Sequence, residues 1–408
     1  MRSATQQIAV LVLGMFFLNL GFSIIMPILP YYTQKMGASA LELGMLMASY
    51  AVMQLIVTPV WGEMSDRIGR RPIFLIGLFG YGASFIIYGF ATQLWMLFAA
   101  RMLGGALAGG MYPASLAYIA DVTEHSERGR IMGLLGAASS LGMIFGPSIS
   151  GILSVWGVTV PFFVTAIAAF VFGIFGYFVL EESRAFDVHR PVRREKVSLL
   201  APLRSGTAIL FVLMLLVTFL MSGFQTIFAY YMGGRFNLYD NPAPMPLLSG
   251  TVTLTGPSAM AILFSVMGVV GVLCQGMLVG FLIGRIGEGR TVLAGMAVSA
   301  AGFLLINMSW ELLTIMLSSS LIAIGTGLAM PCLNSMTSKA TDEESQGAAL
   351  GVLGSYGAMG RIAGPPLGGW LFDVSVSLPY FISALLAVIG ALVIYQAMRK
   401  KVYGSTLK

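Results

Sequence analysis

Long apolar runs separated by short polar breaks set the pattern of this chain. A segment needs about 20 apolar residues to cross a bilayer as a helix. Twelve stretches meet that length: 8–30, 41–61, 73–92, 95–120, 131–154, 159–180, 206–232, 258–284, 291–308, 312–337, 346–372 and 378–398. The first, Ile8 to Pro30, is longer than the apolar region of a secretion signal and lacks a small-residue cleavage site, so it reads as a retained span. One break is much longer than the others. Glu181 to Arg204, with Arg190-Pro-Val-Arg-Arg-Glu-Lys196, separates six spans from six. It reads as a solvated linker or, in the alternative, as a contact for anionic lipid. The predicted fold is an all-α polytopic membrane protein of two six-helix bundles, at 1–181 and 206–408, joined by a basic cytoplasmic linker at 182–205.

The second half repeats the first. At an offset of 218, Gly62, Arg67 and Gly69 recur as Gly280, Arg285 and Gly287. Pro113 recurs as Pro331, and Gly142, Gly146 and Pro147 as Gly360, Gly364 and Pro365. Near the start of each half, Phe17-Leu18 and Gly21-Phe22 align with Phe219-Leu220 and Gly223-Phe224 at an offset of 202. That leaves an insertion around 233–257, where alternating Thr251-Val-Thr-Leu-Thr255 predicts a small hairpin. Two halves repeated in one orientation imply a pseudo-twofold axis along the membrane normal, with cargo carried near the midplane.

Composition narrows the function. Of 408 residues, 57% are hydrophobic and 10% charged, against roughly 25% charged in soluble domains. A soluble enzyme, a nucleic-acid-binding protein and a disordered chain are excluded, and the net charge of +6 comes from 23 basic residues that form no dense patch. Placing both termini in the cytoplasm puts 19 of those residues on the inner side and 2, Lys35 and Arg235, outside. That asymmetry predicts a multi-pass membrane protein with both termini cytoplasmic. Cys274 and Cys332 lie in apolar segments, and His125 and His189 in charged ones, so neither a disulfide framework nor a zinc site is expected. There is no Gly-x-x-x-x-Gly-Lys-[Ser/Thr] loop for ATP. No intramembrane Ser/His or paired-carboxylate site is available, and no appended sensor domain. The chain is expected to be neither an enzyme nor a cofactor protein.

Three motifs carry chemistry. Gly62-Glu-Met-Ser-Asp66-Arg67-Ile-Gly69-Arg70-Arg71-Pro72 places a carboxylate and several cations at helix ends, where an acid can cap a helix N-terminus and the other charges can pair. It reads as a latch for one face or, more plainly, as a basic loop that sets topology. Gly133, Gly142, Gly146-Pro147 and Ser150-Gly151 give a face of small residues along one span, suited to close helix packing. Arg101-Met-Leu-Gly-Gly105 puts a cation inside a span, which costs several kcal/mol unless it is paired or hydrated.

These motifs resemble those of the major facilitator superfamily, in its twelve-span drug:proton antiporter branch, near multidrug and tetracycline exporters. The resemblance covers most of the first half and part of the second. It implies that Gly62, Asp66, Arg67, Gly69, Arg70 and Arg71 form a conformational latch, and that Gly133, Gly142, Gly146, Pro147 and Gly151 form the antiporter motif. It also implies that Arg101 serves proton coupling. Gly284 stands where a second Asp66 would be, so the repeat of the latch is asymmetric, and in the antiporter motif Ser150 stands where the family pattern has a glycine. Members of this branch commonly carry a carboxylate deep in a span. None of the 17 acids here is mid-span, which leaves Asp66 and Asp121 as candidate proton carriers.

The interior polar positions, Asn19, Gln54, Arg101, Gln225, Gln275, Asn307, Asn334 and Arg361, include two cations and no acid. With Phe16, Phe22, Tyr50, Phe228, Tyr231 and Tyr356 they outline an expected cavity, of which Asn19, Phe22, Gln54, Gln225, Phe228, Asn334, Tyr356 and Arg361 are the candidate substrate positions. Either the cavity prefers neutral or anionic amphiphiles, or Arg101 and Arg361 are satisfied by carbonyls and water at helix breaks. The expected activity is proton-driven export of lipophilic drug-like compounds or metabolites by a monomer, its partners being a small amphiphilic substrate, protons and membrane lipid, without nucleic acid. The alternative is a dedicated exporter of one endogenous amphiphile, such as a lipid, siderophore or sugar.

Overall fold

The computed structural model describes residues 4–183, 207–239, 242–342 and 345–399. The basic cluster 190–196 and the lysines at 400, 401 and 408 lie outside the described residues. Helices α1 (Ala4–Lys35), α2 (Ala40–Ile68), α3 (Arg70–Phe90), α4 (Leu94–Ala108), α5 (Met111–Val122), α6 (His125–Ser154) and α7 (Val160–Val179) precede the linker region. After it come α8 (Ala208–Phe236), strands β1 (Ala243–Leu247) and β2 (Gly250–Leu254), α9 (Gly256–Leu273), α10 (Val279–Ile286), α11 (Glu288–Asn307), α12 (Leu312–Lys339), α13 (Gln346–Val374) and α14 (Leu378–Arg399). Among the described residues, eleven helical stretches are long and apolar enough to cross a membrane. Helix α13 coincides with the expected eleventh span, and its glycines, Arg361 and Pro365-Pro366 dilute its hydropathy.

Two expected spans are interrupted. The stretch 95–120 is divided at Gly109–Gly110 into α4 and α5. Pro113 has no N–H to bond the Gly109 carbonyl, which takes the Thr58 hydroxyl at 3.3 Å instead. In the repeat, Leu328 replaces Gly110, and α12 runs unbroken through Pro331. The stretch 258–284 carries one wider π turn, Cys274–Leu278, between α9 and α10. The hairpin is present. β1 and β2 pair antiparallel, with Leu247 opposite Gly250, and Leu248 in the turn takes φ +52°.

The contacts form two compact units. The first comprises Met1–Ala38, Leu46–Arg193 and Pro257–Phe264; the second comprises Ser39–Met45, Arg194–Gly256 and Ser265–Lys408. The first is organised around α1 on α6 and α3 on α4 and α7, the second around α8 on α13 and α11 on α12 and α14. The core of the first unit includes Tyr81, Phe85, Tyr88 and Phe162, whose rings pack edge-on or tilted within 4.9–6.3 Å.

The glycine motif explains the α1–α6 crossing. A Cβ on Gly142 would run into the main chain of Phe16 and Leu20, and one on Gly146 into Leu20 and Ser23. Ser23 donates its hydroxyl to the Gly142 carbonyl at 3.0 Å, and Ser150 donates to the Ile24 carbonyl at 2.7 Å. The second unit repeats this contact for contact. Gly360 faces Leu215 and Phe219, Gly364 faces Phe219 and Ser222, and Gly368 faces Gly223. Ser222 donates to the Gly360 carbonyl at 3.3 Å. Phe16, Leu20 and Ser23 therefore correspond to Leu215, Phe219 and Ser222, an offset of 199. The 202 alignment of Gly21 with Gly223 is corrected: Gly21 faces Thr165 and Tyr81, whereas Gly223 faces Gly364. The slip is three residues, close to one helical turn.

Candidate functional site

The Gly62–Arg71 motif is barely a loop. Helix α2 continues to Ile68 and α3 begins at Arg70, so the reversal falls on Gly69 alone, at φ +102° and ψ 164°. That positive φ favours glycine. The first side chain of α3, Arg70, turns back on its surroundings. Its Nη1 meets Asp66 at 2.5 Å and Ser65 Oγ at 3.1 Å, and its Nε meets Asp121 Oδ2, near the end of α5, at 3.4 Å. Only 9% of the Arg70 side chain is exposed, against 24% and 29% for the two acids. Arg71 donates to the Tyr177 carbonyl at 2.7 Å and lies over that ring. Arg67 pairs with Glu63 at 2.5 Å, with both side chains in the open. Such a pair contributes little, about 0–1 kcal/mol.

Glu182, which the sequence placed only at the head of the linker, completes this network. Its carboxylate accepts the N–H of Arg70 at 2.8 Å and that of Arg71 at 3.3 Å. The acid capping the N-terminus of α3 thus comes from beyond α7. Ser183 donates its hydroxyl to Asp121 at 3.0 Å.

The second unit carries the counterpart. Gly287 takes φ +82° and ψ 166° between α10 and α11. Position 70 becomes Glu288 and position 121 becomes Lys339, at the same 218 offset. Lys339 Nζ meets Glu288 Oε1 at 2.7 Å, and Ser335 donates to the same oxygen at 2.6 Å. The pair is conserved in place and reversed in sign. The Glu288 side chain is 5% exposed, a nearly buried acid at a helix end rather than mid-span.

Arg101 is buried in α4. Its guanidinium lies 5.5 Å from the Phe22 ring and 5.4 Å from the Tyr50 ring, with Met47 Sδ 2.7 Å from Nη2. Nε has no hydrogen-bond partner among the described residues. Gly104 and Gly105 make room: a Cβ on the first would reach Ser84, and one on the second would strike the Tyr50 main chain. Two ring faces compensate part of the burial cost, about 0.5–2 kcal/mol each.

The expected cavity residues divide. Asn19, Phe22, Gln54 and Gln225 are half-buried, with Asn19 tied to the Met15 carbonyl at 2.8 Å. Phe228 is 0% exposed, with its ring 4.6 Å from that of Phe224. Tyr356 is likewise buried, against Phe211. Asn334 and Arg361 are exposed. Of the glycine motif, Gly142 and Gly146 lie in the packing seam and Gly151 faces Ala261, while α6 runs through Pro147. Gly133 touches nothing and instead lines a cavity of about 810 Å³ with Ile8, Val122, Glu124, Glu127 and Leu134. Asp373 caps the first turn of α2 by accepting from Ala40 and Leu41 N–H at 3.0 and 2.9 Å.

A duplicated set of bilayer-length helices, with charge networks at matching helix junctions and a cation buried in a span, defines a polytopic membrane protein built from a repeated unit. The chain belongs to the Major Facilitator Superfamily, whose family model matches residues 11–275 and 243–405. It is similar to the tetracycline resistance protein, class C, of Escherichia coli, with 30% identity over 88% of this chain and 87% of that protein. It is 28% identical to multidrug resistance protein 2 of Bacillus subtilis (strain 168), over 93% of this chain and 92% of that one. It is 25% identical to the quinolone resistance protein NorA of Staphylococcus aureus, over 95% and 96%. Among solved structures, a bacterial homologue of the human lysosomal transporter Spinster, inward-facing and unoccupied, superposes with a TM-score of 0.77 at 14% identity, covering 100% and 99% of the two chains.

Proposed function

We propose that this protein exports lipophilic drug-like compounds or metabolites across a bacterial plasma membrane, by proton antiport and alternating access. The whole-length match to resistance proteins of three bacteria carries this reading. The geometry gives it parts. Arg70, held between Asp66 and Asp121, is a cation with two alternative anionic partners, as a latch requires. Protonation of either acid weakens one contact relative to the other, so the proton and the latch act on the same atoms. Arg101, between Phe22 and Tyr50, supplies a fixed positive charge beside aromatic faces that suit poorly specified apolar cargo. Asn19 and Gln54 in the first unit and Gln225 in the second are proposed as further polar positions that meet cargo, both termini as cytoplasmic, and the working form as a monomer.

The test is export of a fluorescent lipophilic dye such as ethidium. Cells expressing the protein should accumulate less dye than control cells, and a protonophore should abolish the difference. Dye retention that ignores the protonophore refutes the coupling. Export confined to one compound of a broad panel refutes the breadth.

A further inference from the structure

Three successive residues after α7 fasten onto the two helix ends that carry the Arg70–Asp121 pair. The Glu181 carbonyl accepts the Tyr118 hydroxyl of α5 at 2.6 Å. Glu182 spans the N–H groups of Arg70 and Arg71, and Ser183 reaches Asp121. Gly69 admits the carboxylate, since a Cβ at that position would overlap it.

The need for this strap follows from signs. Helix N-termini favour negative side chains and C-termini favour positive ones. In the second unit both rules are kept: Glu288 is the first residue of α11 and Lys339 the last of α12. In the first unit both are broken. Arg70 is the first residue of α3, and Asp121 is the penultimate residue of α5. The first pair is therefore attractive across the helices but opposed by each helix, and α3 begins on a cation. Glu182 brings the missing negative charge to that terminus without occupying the Arg70 side chain, which stays available to Asp66 and Asp121.

We propose that Glu182 is the positioning residue of the latch: its charge, bound to the first two amides of α3, holds Arg70 where it can pass between Asp66 and Asp121, and so sets the rate of the transport cycle rather than affinity for cargo. This rests on the transport reading above. Conformational steps of this kind govern the maximal rate of many cycles.

The experiment compares wild type, Glu182→Asp, Glu182→Gln and Glu182→Ala at matched membrane levels. Initial ethidium export is measured against dye concentration in energised membranes, and hydrogen exchange of peptides covering 69–75 is measured on the full-length protein in detergent. Glu182→Gln and Glu182→Ala should lower the maximal rate about tenfold with KM within twofold and raise exchange in the first turn of α3, while Glu182→Asp should restore at least half the rate. A wild-type maximal rate in Glu182→Ala overturns the proposal, as does a loss expressed through KM. So does a Glu182→Asp variant as impaired as Glu182→Ala, or failure of Glu182→Gln to reach the membrane, which would make Glu182 a folding residue. If the wild-type protein exports no dye, the transport reading fails instead, and the exchange measurement still decides whether Glu182 holds the helix start.

Discussion

The junctions at Gly69 and Gly287 share a backbone and differ in charge. Both turn on a single glycine with φ near +90° and ψ near 165°, and both tie the first residue of the following helix to a residue 51 positions later, Arg70 to Asp121 and Glu288 to Lys339. What duplication kept is the pairing and its place; the sign was free to change. The consequence lies in the helix dipoles. The Glu288 pair is supported by both helices and is joined by Ser335, so it is built to stay closed. The Arg70 pair works against both helices, shares its cation with Asp66 and relies on Glu182. A latch remade in every transport cycle, as proposed above, belongs in the second category.

This contrast is open to attack. The largest expected effect is at Asp66. Asp66→Asn should abolish proton-coupled dye export while the protein inserts normally, and wild-type export by this variant would remove the latch. Next, Arg101→Ala should cost more export than Arg361→Ala, because Arg101 is 2% exposed between two rings whereas Arg361 is exposed. The reverse order would move the functional cation to the second unit. Glu288→Gln should act on stability instead. Loss of a nearly buried charge facing a half-exposed lysine should lower the thermal midpoint in detergent, by about 1–2 kcal/mol of stability, with export per inserted molecule within twofold of wild type. A tenfold loss of export would make the second junction a working part equal to the first. The smallest effect is expected at Arg67→Ala, which removes an exposed pair with Glu63 and should shift stability by less than about 0.5 kcal/mol. A larger shift would show that this pair is coupled to Arg70.

The elements were legible because their signal is long. Twelve runs of about 20 apolar residues are hard to misread, and the repeated Gly-Pro pattern showed the duplication. The failures were local. Phe17–Phe22 and Phe219–Phe224 look alike at 202, yet the backbone contacts at Gly142 and Gly360 require 199; a three-residue slip keeps nearly the same helix face, so apolar pattern alone cannot detect it. The Glu288–Lys339 pair was hidden because the repeat was followed through residues that are identical, whereas this pair is retained with its charges exchanged. Glu182 lies 112 positions from Arg70, and nothing in local spacing links them. The burial of Phe228 against Phe224 is a matter of which face of α8 it occupies, and residue type alone does not announce that.

The crossings of α1 on α6 and of α8 on α13 are written in glycine, serine hydroxyls and main-chain carbonyls. At the glycine positions themselves main-chain atoms and small hydroxyl side chains meet, while larger side chains such as Phe211 and Tyr356 flank the α8–α13 crossing. The glycines and serines that fix these crossings are thus engaged with main chain, which leaves the faces of these four helices that lie away from the seams free of that constraint. For a protein whose relatives confront antibiotics, that separation is a form of evolvability: selection can rewrite the recognised chemistry residue by residue while the scaffold stays out of its reach.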